Sequence, residues 1–413
     1  MAPASLPPFS RRTLLGAFAA GSTGLLLSAC GGGGSLGGSG DSGSGGGSEG
    51  GGTIRVGLVI PQAGVYTPLG VDMQNGWQLW LDQNDATMSG YTVETVTADE
   101  GEGPDTGVPA IQGLLQNEAV DVVVGIVNSA TALGVADQFT EAKKLLLISN
   151  AGAVAITGEA RTPYVWRTSF TNAQNSYALG EHLAAEGVGS VYILAPDYAA
   201  GQENVTAFTA AFEGAGGTIA GSALTPFGTT QDFQPFLSGA QASGAAAVFC
   251  FYSGGEAVTF VQQYADFGLK DTIPLYGSGF LTEGSVLEGQ GAAAVGVQTA
   301  LHYSTEIDNE ANTAFVQAYS DAYDALPTCF AMATYDAANV LARALADAEG
   351  LDGDSLSAAL EGLGEIDDSP RGPWTFTDQN PEQTVYLREV TDEGGTLINA
   401  VVSELGVYAQ PGS

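Results

Sequence analysis

Basic residues are scarce in this 413-residue chain. Lysine and arginine total 11 against 46 aspartates and glutamates, for a formal net charge of −35. Lysine occurs only at Lys143, Lys144 and Lys270. So few cations cannot neutralise a run of phosphates, which argues against nucleic acid as a partner. None of the three lysines sits in a G-x-x-x-x-G-K-[ST] loop, so a P-loop nucleotide site is absent too. Histidine is rarer still. His182 and His302 each stand alone, with no H-E-x-x-H or C-x-x-C pair, and neither metal nor cofactor is expected. His182 reads as part of a surface helix and His302 as a strand end, where solvated or capping roles are expected. Of three cysteines, Cys250 lies in the apolar run "AAAVFCFY" and reads as a buried free thiol. A Cys250–Cys329 disulfide is the alternative in an oxidising compartment. The acid excess fits either high-salt adaptation or an acid-biased composition, and says little about fold.

Long hydrophobic runs are also missing. Leu14–Leu27 is apolar but too short and too rich in Gly and Ala to be a good membrane span. What precedes and follows it reads as an address. Ser10-Arg11-Arg12-Thr13-Leu14-Leu15 resembles a twin-arginine export signal. Leu27-Ser28-Ala29-Cys30 resembles the lipobox of bacterial and archaeal lipoproteins, which implies cleavage before Cys30 and lipid on its sulfur. Residues 1–29 are therefore expected to be a signal peptide, and residues 30–52 a lipidated cysteine and a Gly/Ser linker. Such a linker is a random coil reaching about 25 Å. Its two G-x-S-x-G matches, Gly33–Gly37 and Gly46–Gly50, lack the flanking strand and helix of a hydrolase elbow and are accidents of composition.

From Thr53 the pattern changes to strands alternating with helices. "TIRVGLVI", "YTVETVTAD", "VDVVVGIV", "KLLLISN" and "YVWRTS" read as strands. Met73, Trp77, Trp80 and Leu81 share one helical face between the first two. The rhythm restarts with "SVYILAP", "TIAGSAL", "AAAVFCFY" and "IPLYGS". Two long helices and an alternating β-rich stretch, "GPWTFTDQNPEQTVYLREVTDEGGTLINAVV", close the chain. This order predicts an α/β fold of two doubly wound parallel-sheet lobes. Ligands bind such sheets beyond the carboxyl ends of their strands, so two facing edges make a cleft. At "VDVVVGIVNSATALGVA" a strand stops and a helix begins at Asn128-Ser129. A helix starting at Ala130 would offer free N–H donors and a positive dipole end to an anion.

Six stretches in order resemble the type I periplasmic binding proteins of the branched-chain amino-acid class, the solute receptors of ABC importers. They are "IRVGLVIPQAGVYTPLG", "VDVVVGIVNSATALGVA", "KLLLISNAGA", "YVWRTSFTNAQNSYALGEHL", "VYILAPDYAAGQE" and "FAMATYDAANVLARAL". The resemblance covers Thr53 to about Val407. It implies a three-strand hinge, with crossings near Thr168–Thr171, Gln298–His302 and Pro370–Trp374. One lobe would hold residues 53–169 plus 300–373, the other 170–299 plus 374–407. It implies a monomer, a small carboxylate or amino acid as ligand, and permease and ATPase subunits as separate chains. A clamshell reporting to a signalling partner is the alternative. Hydrolysis would need turnover that depends on Ser129, and no enzymatic activity is expected.

The resemblance also implies site residues. Ser129, with Asn128 beside it, would meet a ligand carboxylate, as would the backbone of Asn150, Ala151 and Gly152, with Ala153 where the family often has threonine. Tyr198 would stack on the ligand in place of Ala200, and Tyr252 and Ser253 would face the cleft. Where amino-acid receptors carry an acid for the ligand ammonium, this chain has Gly279, followed by Phe280. Glu283 or Glu256 would have to substitute. Two ligand classes follow. One is an apolar amino acid; the other is an aromatic or apolar carboxylate walled by Tyr66, Tyr198, Phe280 and Phe330. Arg167 is expected to form a structural ion pair rather than to meet an anion.

Overall fold

The computed structural model describes residues 51–411 with the exception of Val65. The export signal, the lipobox with Cys30 and most of the Gly/Ser linker lie outside the described residues.

The first sheet is built from β1 (Thr53–Ile60), β2 (Thr87–Met88), β3 (Tyr91–Asp99), β4 (Val122–Gly125), β5 (Leu145–Ile148) and β6 (Val165–Arg167). Its spatial order is β2-β3-β1-β4-β5-β6. All pairs are parallel except the short edge pair of β2 with β3. Every residue of β4, β5 and β6 is buried, as unbroken apolar runs covered on both faces should be. Helix Thr67–Gln83 buries Met73, Trp77, Trp80 and Leu81. Burying a side chain such as Met73 or Leu81 contributes about 1.5–3 kcal/mol. That helix lies against helix Cys329–Asp347, which returns from late in the chain. Gly76 permits the approach: a Cβ there would lie 2.0 Å from the carbonyl oxygen of Ala331.

The second sheet contains β7 (Ser190–Pro196), β8 (Thr218–Thr225), β9 (Ala247–Cys250), β10 (Leu275–Ser278), β11 (Gln298–Leu301), β12 (Trp374–Thr377), β13 (Asn380–Glu393) and β14 (Thr396–Tyr408). Its order is β12-β13-β11-β10-β9-β7-β8, with β14 on β13. The strands from β7 to β11 are parallel, while β12, β13 and β14 run antiparallel at one side. The expectation of two parallel α/β lobes therefore holds for the centre of each sheet.

The chain passes between the lobes after β6, after β11 and before β12. β11 keeps residues 298–301 in the second sheet, so the second passage falls just beyond residue 300. Arg371 fastens the passages together. It is 1% exposed and pairs with Asp336 at 2.8 Å. It also donates to the carbonyls of Thr168 and Ser169 and to the side chain of Gln383.

Cys250 and Cys329 are both buried and both free, which sets the disulfide aside. One ends a strand of the second sheet; the other opens the helix that packs in the first lobe.

Candidate functional site

The candidate residues sit where strands end. Tyr66 follows β1, Asn128 and Ser129 follow β4, and Asn150–Ala153 follow β5. Tyr198 follows β7, Ser253 follows β9, and Gly279 and Phe280 follow β10. Both sets are at carboxyl ends of parallel strands, the edge at which α/β sheets hold ligands.

In the first lobe the turn after β4 is tight. Gly125 has φ 125°, and Ile126 takes a left-handed φ of 68°, uncommon for a β-branched residue. A Cβ on Gly125 would lie 2.0 Å from the carbonyl oxygen of Val59. Helix Ser129–Ala142 then begins one residue earlier than expected. Its first donors are not free. The Asn128 side-chain oxygen accepts from the N–H of Ala130 at 2.9 Å and of Thr131 at 3.1 Å. This corrects the expectation of open donors at Ala130: Asn128 caps the helix internally. Beneath it, Glu100 is fully buried and accepts from the N–H of Val127 at 2.7 Å and of Asn128 at 2.8 Å. Burial pushes its pKa up to about 7, against the pull of those bonds.

Ser129 joins the two elbows of this lobe. Its Oγ accepts from the N–H of Ala153 at 3.1 Å, which leaves its own proton to donate. The second elbow is otherwise turned inward. The N–H of Ala151 bonds Ile126 and the carbonyl of Gly152 accepts from Asn172. The expectation that this backbone presents donors to a ligand is corrected for Ala151 and Ala153. Asn150 is 6% exposed, and its side-chain oxygen lacks a protein partner. Arg167 supports the elbow from below, donating to the carbonyls of Ala153 at 2.7 Å and Phe170 at 3.1 Å. Burial lowers its pKa to about 9, and Glu203 is its nearby countercharge. Among the described residues it makes no ion pair within 4 Å, so carbonyls replace the expected carboxylate partner.

Aromatic rings fill the space between the lobes. Phe280 from the second lobe packs on Phe330 of helix Cys329–Asp347, with centroids 6.2 Å apart and planes at 20°. Phe170, beside the first crossing, lies 4.6 Å from Phe280, and Phe251, after β9, lies 6.4 Å away. Tyr198 stacks on Phe227 at 4.0 Å. The Tyr198 phenol interacts with Ser253, and its electrostatic neighbours include Tyr66 and Glu256. Burial raises the pKa of both tyrosines. Tyr66, Tyr198, Ser253, Phe280 and Phe330 are thus brought together, and Phe170, Phe227 and Phe251 join them. Tyr252 does not. It is fully buried inside the second lobe against Phe233 and Phe260, with its hydroxyl 3.3 Å from that of Thr225. Its ring packs into the core of the second lobe, which corrects its assignment to the cleft, while Ser253, half-buried, stands before helix Gly254–Asp266.

Neither substitute acid is placed as expected. Glu283 pairs with buried Arg388 at 2.9 Å and accepts from the N–H of Cys329 at 2.8 Å. Arg388 also donates to the carbonyls of Tyr303 and Gly279. Glu256 is half-buried and held by the backbone of Thr230 and Gly228. A third carboxylate, Glu203, reaches from helix Ala199–Gly214 to the first lobe. It accepts from the N–H of Val154 at 3.3 Å and from the Asn172 side chain at 2.7 Å. A cavity of about 1020 Å³ flanks this region, lined in part by Asp72, Glu283, Thr328 and Arg388. There burial raises Asp72 to about pKa 7, with Thr328 donating to it.

Sequence comparison matches residues 53–396 to a family described as periplasmic binding protein. The chain is 30% identical over 369 residues to Leu/Ile/Val-binding protein homolog 6 of Brucella melitensis biotype 1, covering 87% of this chain and 93% of that one. It also resembles a solute-binding protein of an ABC transporter from Rhodopseudomonas palustris BisB5, solved in complex with 3,4-dihydroxybenzoic acid. The two share 32% identity with a TM-score of 0.81, over 87% of this chain and 99% of that one. A further R. palustris solute-binding protein, solved with benzoate, shares 32% identity with a TM-score of 0.77, over 86% and 98% of the two chains.

Proposed function

We propose a function from one premise: the chain belongs to the periplasmic binding protein family. It is a solute-binding protein of the ABC-transporter kind and not an enzyme. The solute, on our reading, is an aromatic carboxylate held between the lobes. The observation that carries this is Arg388 beside Gly279. An amino-acid ligand brings an ammonium group, and a buried ammonium needs a carboxylate partner. Position 279 has no side chain, and the space such a side chain would take is filled by Leu301 and the Arg388 guanidinium. Glu283 is already committed to Arg388 and to the N–H of Cys329. A cation is therefore disfavoured at this end of the cleft, and the rings of Phe170, Phe280 and Phe330 suit an apolar, planar body. At the other end, the Ser129 hydroxyl would donate to the ligand carboxylate. The benzoic-acid complexes of the two R. palustris relatives support the same class.

The rest of the proposal follows from the first fifty-two residues. The protein is exported, lipidated at Cys30 and tethered outside the cytoplasmic membrane. There it passes its solute to permease and ATPase subunits carried on separate chains. Fractionation of cells making Cys30→Ser tests the tether: the variant should leave the membrane fraction, and retention there would mean another anchor.

Thermal unfolding of the purified protein against benzoate, hydroxybenzoates, leucine, isoleucine and valine tests the ligand class. A ligand at 100 times its Kd stabilises by about 2.7 kcal/mol. Stabilisation by the benzoates alone is expected. Stabilisation by the branched-chain amino acids, the class named for the Brucella relative, would overturn the reading.

A further inference from the structure

His302 is the residue after β11, whose carboxyl end lies beside that of β10 in a parallel pair, with Ser278 opposite Ala300. It therefore stands on the same sheet edge as Gly279 and Phe280. Its ring stacks on Phe170 with centroids 5.4 Å apart, and Phe170 in turn lies 4.6 Å from Phe280. The imidazole is fully buried, yet neither ring nitrogen has a hydrogen-bond partner among the described residues. The Oγ of Ser278, 1% exposed on the neighbouring strand end, also lacks one. Buried polar groups are nearly always paired, and a purely apolar ring in the cleft would leave these as they are. The solvated or capping role expected for a strand-end histidine is thus not the one it has.

Resting on the aromatic-carboxylate reading above, we propose that His302 is a specificity residue that hydrogen-bonds a hydroxyl substituent on the ligand ring. The protein is thereby tuned to hydroxybenzoates over benzoate. The chemistry matches on both sides. Burial, with Arg371 and Arg388 close by, holds the imidazole far below its ordinary pKa, so it is neutral. A neutral imidazole has one donor and one acceptor nitrogen, and a phenolic hydroxyl is itself both donor and acceptor. A site built to bond a hydroxyl discriminates strongly against the analogue that lacks it, because its own polar groups are then stranded.

The test is calorimetric titration of the whole protein with benzoate, 3-hydroxybenzoate and 4-hydroxybenzoate, for the natural chain and for His302→Phe and His302→Gln. At least one hydroxybenzoate should bind about tenfold or more tighter than benzoate. In His302→Phe that ratio should fall to within about twofold; His302→Gln should keep part of it. A ratio near one in the natural chain, or one that survives His302→Phe, overturns the proposal and leaves the aromatic-carboxylate reading standing. Failure of every benzoate to bind overturns that reading, and this proposal with it. Should the variants not fold, 15N-histidine NMR of the natural chain decides. The His302 nitrogens should shift with the hydroxybenzoate and not with benzoate, with His182 as internal reference; equal shifts, or none, refute the role.

Discussion

Nη2 of Arg388 donates to the carbonyl of Gly279 at 3.0 Å and stands 2.7 Å from where a Cβ on that glycine would lie. Together with Leu301, whose Cβ lies 2.5 Å from the same point, the arginine excludes a side chain at position 279 and places a buried cation there. Arg388 is itself balanced by Glu283, whose second oxygen caps the helix that begins at Cys329 in the opposite lobe. Removing the arginine alone strands a carboxylate in the interior. Arg388→Met should cost about 3–5 kcal/mol in chemical unfolding, and adding Glu283→Gln should recover part of it. Equal stability of the natural chain and Arg388→Met would show that the pair contributes nothing.

Ser129 holds two elbows together and keeps its own proton to donate, which we propose goes to the ligand carboxylate. Ser129→Ala should weaken binding of the cognate carboxylate by about 1–2 kcal/mol, read by calorimetry. Unchanged affinity would remove the hydroxyl from the site.

Glu203 spans the cleft without a place in the aromatic cluster. Glu203→Ala removes its bonds to Val154 and Asn172 and, on the clamshell reading proposed above, should lower the population of a form closed on ligand. Apparent affinity should drop by about 1–2 kcal/mol, mostly through faster dissociation, which stopped-flow displacement measures. A change confined to the association rate would argue against a closing role.

Glu100 and Asp72 each keep a proton to about pH 7 in the folded chain, against ordinary values of 4.5 and 3.8. Between those limits the folded state binds more protons than the unfolded one. Stability is therefore full below about pH 4 and is lost as the pH climbs through 7. Each carboxyl should account for a loss of about 3 kcal/mol, Asp72 having the larger shift and Glu100 the deeper burial. Urea unfolding from pH 5 to pH 8 measures it. Relief of general charge repulsion slopes the same way, so the deciding comparison is Glu100→Gln, which should reduce the slope by about half. An unchanged slope in that variant would clear Glu100 of the effect.

Much of this architecture is readable from residue order because it rests on local patterns. β4 and β5 announce themselves as unbroken apolar runs, and the strand-to-helix switch at Asn128-Ser129 is written in cap residues. The same capping chemistry misleads one step further on, since Asn128 takes up the donors the helix start seemed to offer. Phe280 and Phe330 are legible as cleft residues through the resemblance of their surroundings. Arg388 is not, because it lies 109 positions from Gly279 on an antiparallel strand at the side of the sheet. His302 looks like an ordinary strand end until Phe170 and the adjoining strand ends seal it off. Tyr252 and Ser253 differ by one position, and only sheet packing tells which of them faces inward.

Each lobe borrows elements from late in the chain. The first is incomplete without helix Cys329–Asp347, and the second lacks a neighbour for β11 until β13 has been made. A nascent chain that has emerged only as far as residue 300 therefore carries two unfinished cores and one bare strand edge. Truncation before Cys329 therefore leaves both lobes unfinished, whereas truncation between Asp347 and β13 strips only the second of its edge neighbour.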